Sequence, residues 1–172
     1  MKRDHADDAP DTAANVDDAT DVEGSDATSR ALKLWVVLAR SYAAVARVVD
    51  KDISRHGLTT TEFGILEVLH HKGPLLLGEI QRKVLVTSGG ITYLVDRLVA
   101  KGLVTREPSP DDRRARYAVL TAEGSRLIGA IFPTHAALLT QAIGALTAEE
   151  QGAATALLRK LGHAVSEEYE AG

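Results

Sequence analysis

From Ser29 onward, apolar residues of this 172-residue chain recur at helical spacing, and only between residues 103 and 120 does the period fall to two. Such a chain can build a set of helices and one small hairpin, but no extended sheet. Leu32, Trp35, Val36, Ala39, Ala43, Ala46, Val49 and Ile53 lie at steps of three and four, one stripe on a helix of about 25 residues from Ser29 to near Gly57. A small domain cannot cover a stripe of that length alone, so part of it awaits a partner.

Local signals divide the rest. Thr59 and Glu62 have capping-box spacing and open a second helix through His70, which Gly73 and Pro74 stop. A short apolar stretch at 75–77 precedes a third helix at 78–84. Thr87 and Ser88 cap a fourth, which runs to Lys101 and closes at Gly102. Residues 103–107 and 115–120 read as strands, and the charged, proline-containing turn 108–114 makes them a hairpin with a protruding tip. Thr121 caps a fifth helix to about Gly144, with Pro133 as a possible bend. Thr147 and Glu150 repeat the capping-box spacing and open a last helix to about Tyr169. The expected fold class is mainly α with a small β-hairpin.

Charge separates the chain further. The total is −4, but residues 1–28 hold nine acidic and two basic side chains, −7, which leaves +3 for 29–172. Residues 72–126 hold ten basic against six acidic, a local +4. The arm's apolar residues are nearly all alanine without periodicity, so disorder is expected for 1–28. The chain has no cysteine, which excludes disulfides, thiolate nucleophiles and Cys-ligated metal. Its longest apolar runs are far below the roughly 20 residues of a membrane span, and the acidic N-terminus lacks a secretory pattern. A cytoplasmic location is expected.

Helix, turn, helix and hairpin is the order of a winged helix-turn-helix. On the fourth helix Ile91, Leu94, Val95, Leu98 and Val99 share one face for packing. Gly89, Thr92, Tyr93, Asp96, Arg97 and Lys101 share the other. A helix entering a major groove needs small polar residues at its first turn, here Thr87, Ser88, Gly89, Gly90 and Thr92. Longer donors follow for bases and phosphates, here Tyr93, Arg97 and Lys101. The two glycines each cost roughly 1 kcal/mol in a helix, offset either by close helix packing or by close approach to DNA. Arg97 is otherwise a solvated residue or half of a local ion pair. At the hairpin tip Asp111, Asp112, Arg113 and Arg114, followed by Arg116, suit a minor groove, with Asp112 able to hold the Arg114 guanidinium extended.

The stretch from Leu58 to Gly124 resembles the multiple antibiotic resistance regulator (MarR) family of bacterial transcription factors. The motifs that carry the likeness are 88–98 (SGGITYLVDRL), 101–106 (KGLVTR), 110–114 (PDDRR) and 120–124 (LTAEG). The resemblance implies a homodimer whose dimerisation region comprises 29–57 and 121–172, with a winged DNA-binding domain at 58–120. It implies two lobes on a near-palindromic site, Arg114 in the minor groove and Asp112 orienting it. Half-sites about one helical turn apart then follow from two-fold symmetry. The family's peroxide and thiol-oxidation sensors use a reactive Cys in the first helix, so that subclass is excluded here.

Many members release DNA when a small aromatic compound binds between the dimerisation and DNA-binding regions, and a phenolic or quinone-like ligand is the expectation for this chain. Candidate ligand residues are Trp35 and Tyr42 on the first helix, His56 at its end, Phe63 and Glu67 on the second, and Arg106 beneath the wing. Trp35, on the main apolar stripe, reads first as a dimer-core residue, and Arg106 equally as a phosphate contact. His70, His71 and His135 lack metal-ligand spacing, and no metal or cofactor is expected. No nucleophile elbow, phosphate loop or held carboxylate pair is present, so an enzyme is not expected. The alternative is a winged-helix module that binds protein without DNA specificity, which should not concentrate donors on the exposed helix face and the wing.

Overall fold

The computed structural model describes residues 26–84, 88–109 and 115–170. The elements run α1 (Asp26–Ser54), α2 (Thr60–Lys72), β1 (Leu75–Leu76), α3 (Leu77–Val84), α4 (Ser88–Ala100), β2 (Val104–Pro108), β3 (Arg116–Leu120), α5 (Ala122–Ile143) and α6 (Ala148–Glu170). Among the described residues the mainly helical architecture with a small antiparallel sheet stands as the periodicity predicts. The first helix begins three residues before Ser29. Asp26 in its first turn forms an i,i+4 ion pair with Arg30, a favourable placement for an acid at a helix N-terminus.

The chain divides into two compact units, and the division, after Ala44, falls inside α1. The described part of the first unit is the N-terminal two-thirds of that helix. Its Leu32, Leu34, Trp35, Val37 and Tyr42 side chains are exposed, Trp35 at 65% and Tyr42 at 73%.

The second unit holds the core. Ile53, Leu58, Phe63, Ile65, Leu66, Leu69, Ile80, Ile91, Val95, Leu98, Val104, Ala118, Ile128 and Ile131 are buried together. The sheet has three strands rather than the expected two. β1 pairs antiparallel with β3, Leu75 opposite Ala118, and β2 pairs with the other edge of β3, Val104 opposite Leu120 and Pro108 opposite Arg116. Two residues at 75–76 are too short to show a period, so only the pairing reveals the strand.

Leu103, expected to start a strand, instead closes α4. Gly102 adopts φ +71°, its N–H bonds to the Val99 carbonyl, and the Leu103 N–H bonds back to the Leu98 carbonyl at 3.0 Å. Those two bonds are a Schellman ending, with Leu98 and Leu103 in the same core. The start of α5 is fixed to this junction. Thr121 donates its hydroxyl to the Gly102 carbonyl at 2.7 Å, accepts from Gly124 N–H at 3.0 Å, and gives its own N–H to the Leu103 carbonyl at 3.1 Å. A Cβ on Gly124 would lie 2.0 Å from that Leu103 oxygen, so only glycine fits.

α6 opens on the reciprocal hydrogen bonds of Thr147 and Glu150. Ile143, Leu146, Leu157, Leu158, Leu161 and Val165 remain exposed on α5, the α5–α6 turn and α6. Among the described residues no single helix is long and apolar enough to cross a membrane.

Candidate nucleic-acid interface

α4 is amphipathic as its spacing requires. Ile91, Val95 and Leu98 are buried and Leu94 half-buried, while Thr92, Tyr93 and Asp96 face outward. Val99, expected on the packing face, is 40% exposed. It lies at the edge of the buried stripe, one helical step beyond Val95 and beside exposed Ala100. Ser88, Gly89 and Gly90 form the first turn of α4. Thr87 and the wing-tip residues Asp112, Arg113 and Arg114 lie outside the described residues. Arg116 opens β3, exposed, and donates to the Ala115 carbonyl at 3.0 Å.

Arg97 of α4 and Lys101 just beyond its end, both expected as donors to bases and phosphates, are not free, which corrects that expectation. Glu62, on α2, is fully buried and receives both. Arg97 Nε lies 3.2 Å from one carboxylate oxygen, and Lys101 Nζ lies 2.8 Å from the other. Lys101 also donates to the Gly57 carbonyl at 2.7 Å, so its ammonium is turned inward. Arg97 keeps 39% of its side chain exposed, and its guanidinium carbon lies 5.9 Å from the centre of the Tyr93 ring. Of the alternatives for Arg97, an ion pair is made, but with Glu62 of α2 rather than with a local partner.

The same Glu62 oxygen that meets Lys101 accepts the Thr59 N–H at 2.8 Å, completing the capping box of α2. Burial pushes the Glu62 carboxyl up. The Lys101 and Thr59 hydrogen bonds and the charges of Lys101 and Arg97 outweigh it, holding the carboxyl below the ordinary value of 4.5.

Arg106 on β2 is committed to α4. It pairs with Asp96 at 2.9 Å and donates to the Thr92 carbonyl at 3.2 Å, fixing the wing strand to the exposed face of the helix. A free guanidinium for a ligand or phosphate is therefore not what β2 presents. The other ligand candidates fare unevenly. Phe63 is a core residue, its ring 4.6 Å from the His135 ring, and Glu67 is half-buried. His56 is exposed beyond the end of α1, as are Trp35 and Tyr42 within it. A groove of about 370 Å³ between α3 and the start of β3, lined by Leu76, Leu77, Glu79, Arg82 and the wing's Arg116 among others, includes none of the ligand candidates.

Two buried polar clusters are not visible in the sequence reading. Besides Glu62 with its cations, Asp52 of α1 and His135 of α5 are both buried and hydrogen-bonded at 3.1 Å. The signal was present in the spacing. Glu62 lies three, four and seven residues before Ile65, Leu66 and Leu69. Asp52 adjoins Ile53 on its stripe, and His135 follows Ile128 and Ile131 by seven and four. Each polar residue therefore sits on a core face, where a partner is required. Among the described residues no group of three or more His, Asp or Glu could hold a metal ion.

The comparisons with known proteins agree with this geometry. A model of the MarR family matches residues 56–115. The chain is 44% identical over 135 residues to the HTH-type transcriptional regulator MhqR of Bacillus subtilis, covering 78% of this chain and 93% of that protein. Among solved structures it is similar to Sco3205, a MarR family transcriptional regulator from Streptomyces coelicolor in complex with DNA. That likeness has a TM-score of 0.74 and 25% identity over 80% of this chain and 88% of the other. It is also similar to Bordetella bronchiseptica BpsR, whose DNA binding is regulated by 6-hydroxynicotinic acid, with a TM-score of 0.68 and 25% identity over 76% of this chain and 98% of that one.

Proposed function

Because the chain belongs to the MarR family of transcriptional regulators, we propose that it acts as a homodimeric repressor. It binds a near-palindromic operator with α4 in the major groove and the wing, 106–116, in the minor groove. The observation that carries this reading is the outer face of α4. Thr92, Tyr93 and the outer part of Arg97 stand opposite buried Ile91, Val95 and Leu98, and Arg106 clamps the wing strand to that same face. Small residues at Ser88, Gly89 and Gly90 let the helix backbone approach the groove, and Arg114 with Asp112 supplies the minor-groove contact.

A second copy covers the exposed apolar side chains of α1 and α6, which a monomer would leave in water. A DNA-binding role supports a cytoplasmic location. Release by a small phenolic or quinone-like compound is supported by BpsR, which answers a hydroxylated aromatic acid. Such a ligand acts by preferring a lobe spacing that no longer matches successive grooves.

Selection from a pool of randomised duplexes tests the reading. The expected product is an inverted repeat with half-sites about 10 base pairs apart, bound by one dimer. A pool that shows no enriched sequence after repeated rounds, with the protein folded, would overturn it.

A further inference from the structure

We infer that Glu62, on the helix that precedes the recognition helix, is a positioning residue for sequence reading, and that it acts by holding Arg97 with its terminal nitrogens turned outward. The inference rests on the reading of α4 as the recognition helix and adds to it a residue that touches no DNA.

A buried carboxylate beside a DNA-binding face is unfavourable on two counts. It loses hydration, and it repels phosphate. Here two cations surround it, and they are used differently. Lys101 spends its ammonium on Glu62 and on the Gly57 carbonyl, and so ties the end of α4 to the α1–α2 connection. Arg97 meets Glu62 through Nε, 3.2 Å from a carboxylate oxygen that accepts no hydrogen bond, while 39% of the side chain stays exposed. The Nε end of a guanidinium is the end not needed for bidentate recognition of a guanine edge, which uses the terminal fork. With Nε drawn inward and the Tyr93 ring beside the guanidinium, the side chain has lost much of its rotamer freedom before DNA arrives. Lysine at the same place has one charged group and cannot serve both sides.

Specific and non-specific binding then respond to Glu62 with opposite signs. Non-specific affinity follows net charge, so removing one negative charge raises it or leaves it unchanged. Specific affinity follows the orientation of Arg97 and falls. A role confined to stability would move both together.

The experiment uses the full-length dimer, an operator duplex selected from a randomised pool by the wild-type protein, and a scrambled duplex of equal length. Affinities are measured by fluorescence anisotropy at several salt concentrations. Glu62→Gln is expected to lower the operator-to-scramble affinity ratio about tenfold while scramble binding stays equal or tightens. Arg97→Lys is expected to lower the ratio similarly, with Glu62→Gln adding nothing further in that background. If Glu62→Gln does not fold, Glu62→Asp keeps the charge but withdraws it from Arg97, and the ratio should still fall. An unchanged ratio in the folded Glu62 variant, beside a lowered one in Arg97→Lys, overturns the role of Glu62 and leaves Arg97 as a reader. Parallel loss for both duplexes also overturns it. An unchanged ratio in Arg97→Lys refutes the reading of Arg97 itself.

Discussion

Two helices of this protein begin with the same four-residue device and use it for different ends. Thr59 and Glu62 open α2, Thr147 and Glu150 open α6, and in both the threonine hydroxyl and the glutamate carboxylate exchange hydrogen bonds with backbone N–H groups. Glu62 is fully buried and bridges to Arg97 of α4 and to Lys101 just beyond it, whereas Glu150 stands in water with Thr147 as its only partner among the described residues. Both carboxyls are held below the ordinary value of 4.5, but the causes differ. For Glu62 burial works against the shift, and the hydrogen bonds and cations of a neighbouring helix reverse it. For Glu150 the Thr147 backbone and side chain suffice. A local motif thus fixes where a helix starts and leaves open what its third residue does. α5 makes the point from the other side. Thr121 caps it in the same way, yet the third residue is Gly124, because the Leu103 carbonyl occupies the space a side chain would need.

The largest expected effect lies at that exception. Gly124→Ala puts a methyl group against a backbone oxygen that is itself hydrogen-bonded to Thr121, so neither side can yield cheaply. We expect a loss of about 3 kcal/mol in urea unfolding, the upper range for an overpacked core. A variant as stable as the wild type would show that the junction of α4, β2 and α5 relaxes, and that the glycine marks no close approach.

Next comes the buried member of the pair. Glu62→Gln keeps the volume of the side chain and removes the anion, leaving Arg97 and Lys101 without a counter-charge; about 2 kcal/mol should be lost at pH 7. The pH dependence carries the diagnosis. The folded carboxyl titrates below the ordinary value of 4.5, so its contribution is fully present above that value and disappears as pH falls through the lower, folded one. The stability curves of wild type and Glu62→Gln should therefore converge on acidification below pH 4.5. A gap that stays constant with pH would assign the effect to packing rather than to the ion pairs.

How much of this was legible beforehand depends on the range of the interaction. The capping threonines, the helix stops and the amphipathic face of α4 are written in neighbouring residues and were read within a few positions. Leu103 is ambiguous in sequence because an apolar residue after a glycine suits both a strand start and a Schellman ending, and the choice lies in a bond back to Leu98. β1 depends on pairing with β3, more than 40 residues away. The Glu62 cluster joins residues 35 and 39 positions apart, and the Asp52–His135 pair spans 83. Periodicity placed each of these polar residues on a core face, which demands a partner, but it could not name one. Arg106 shows the opposite fault. Its sequence position beneath the wing suggested a free cation, whereas Asp96 and the Thr92 carbonyl occupy it.

The smallest effect is expected at Glu150, and it is the one that isolates the local device from its tertiary use. Glu150→Gln leaves an amide oxygen that can still accept the Thr147 N–H, in a setting where water competes for every donor. No cation of another helix is bound to it among the described residues, so nothing in the folded unit is left unsatisfied when the charge goes. We expect the urea midpoint and its pH dependence to match the wild type within error. A loss approaching that of Glu62→Gln would mean that Glu150 meets a cation the single chain does not supply. The second copy of the chain would be its source, because the exposed apolar side chains of α6 are the ones a dimer must cover.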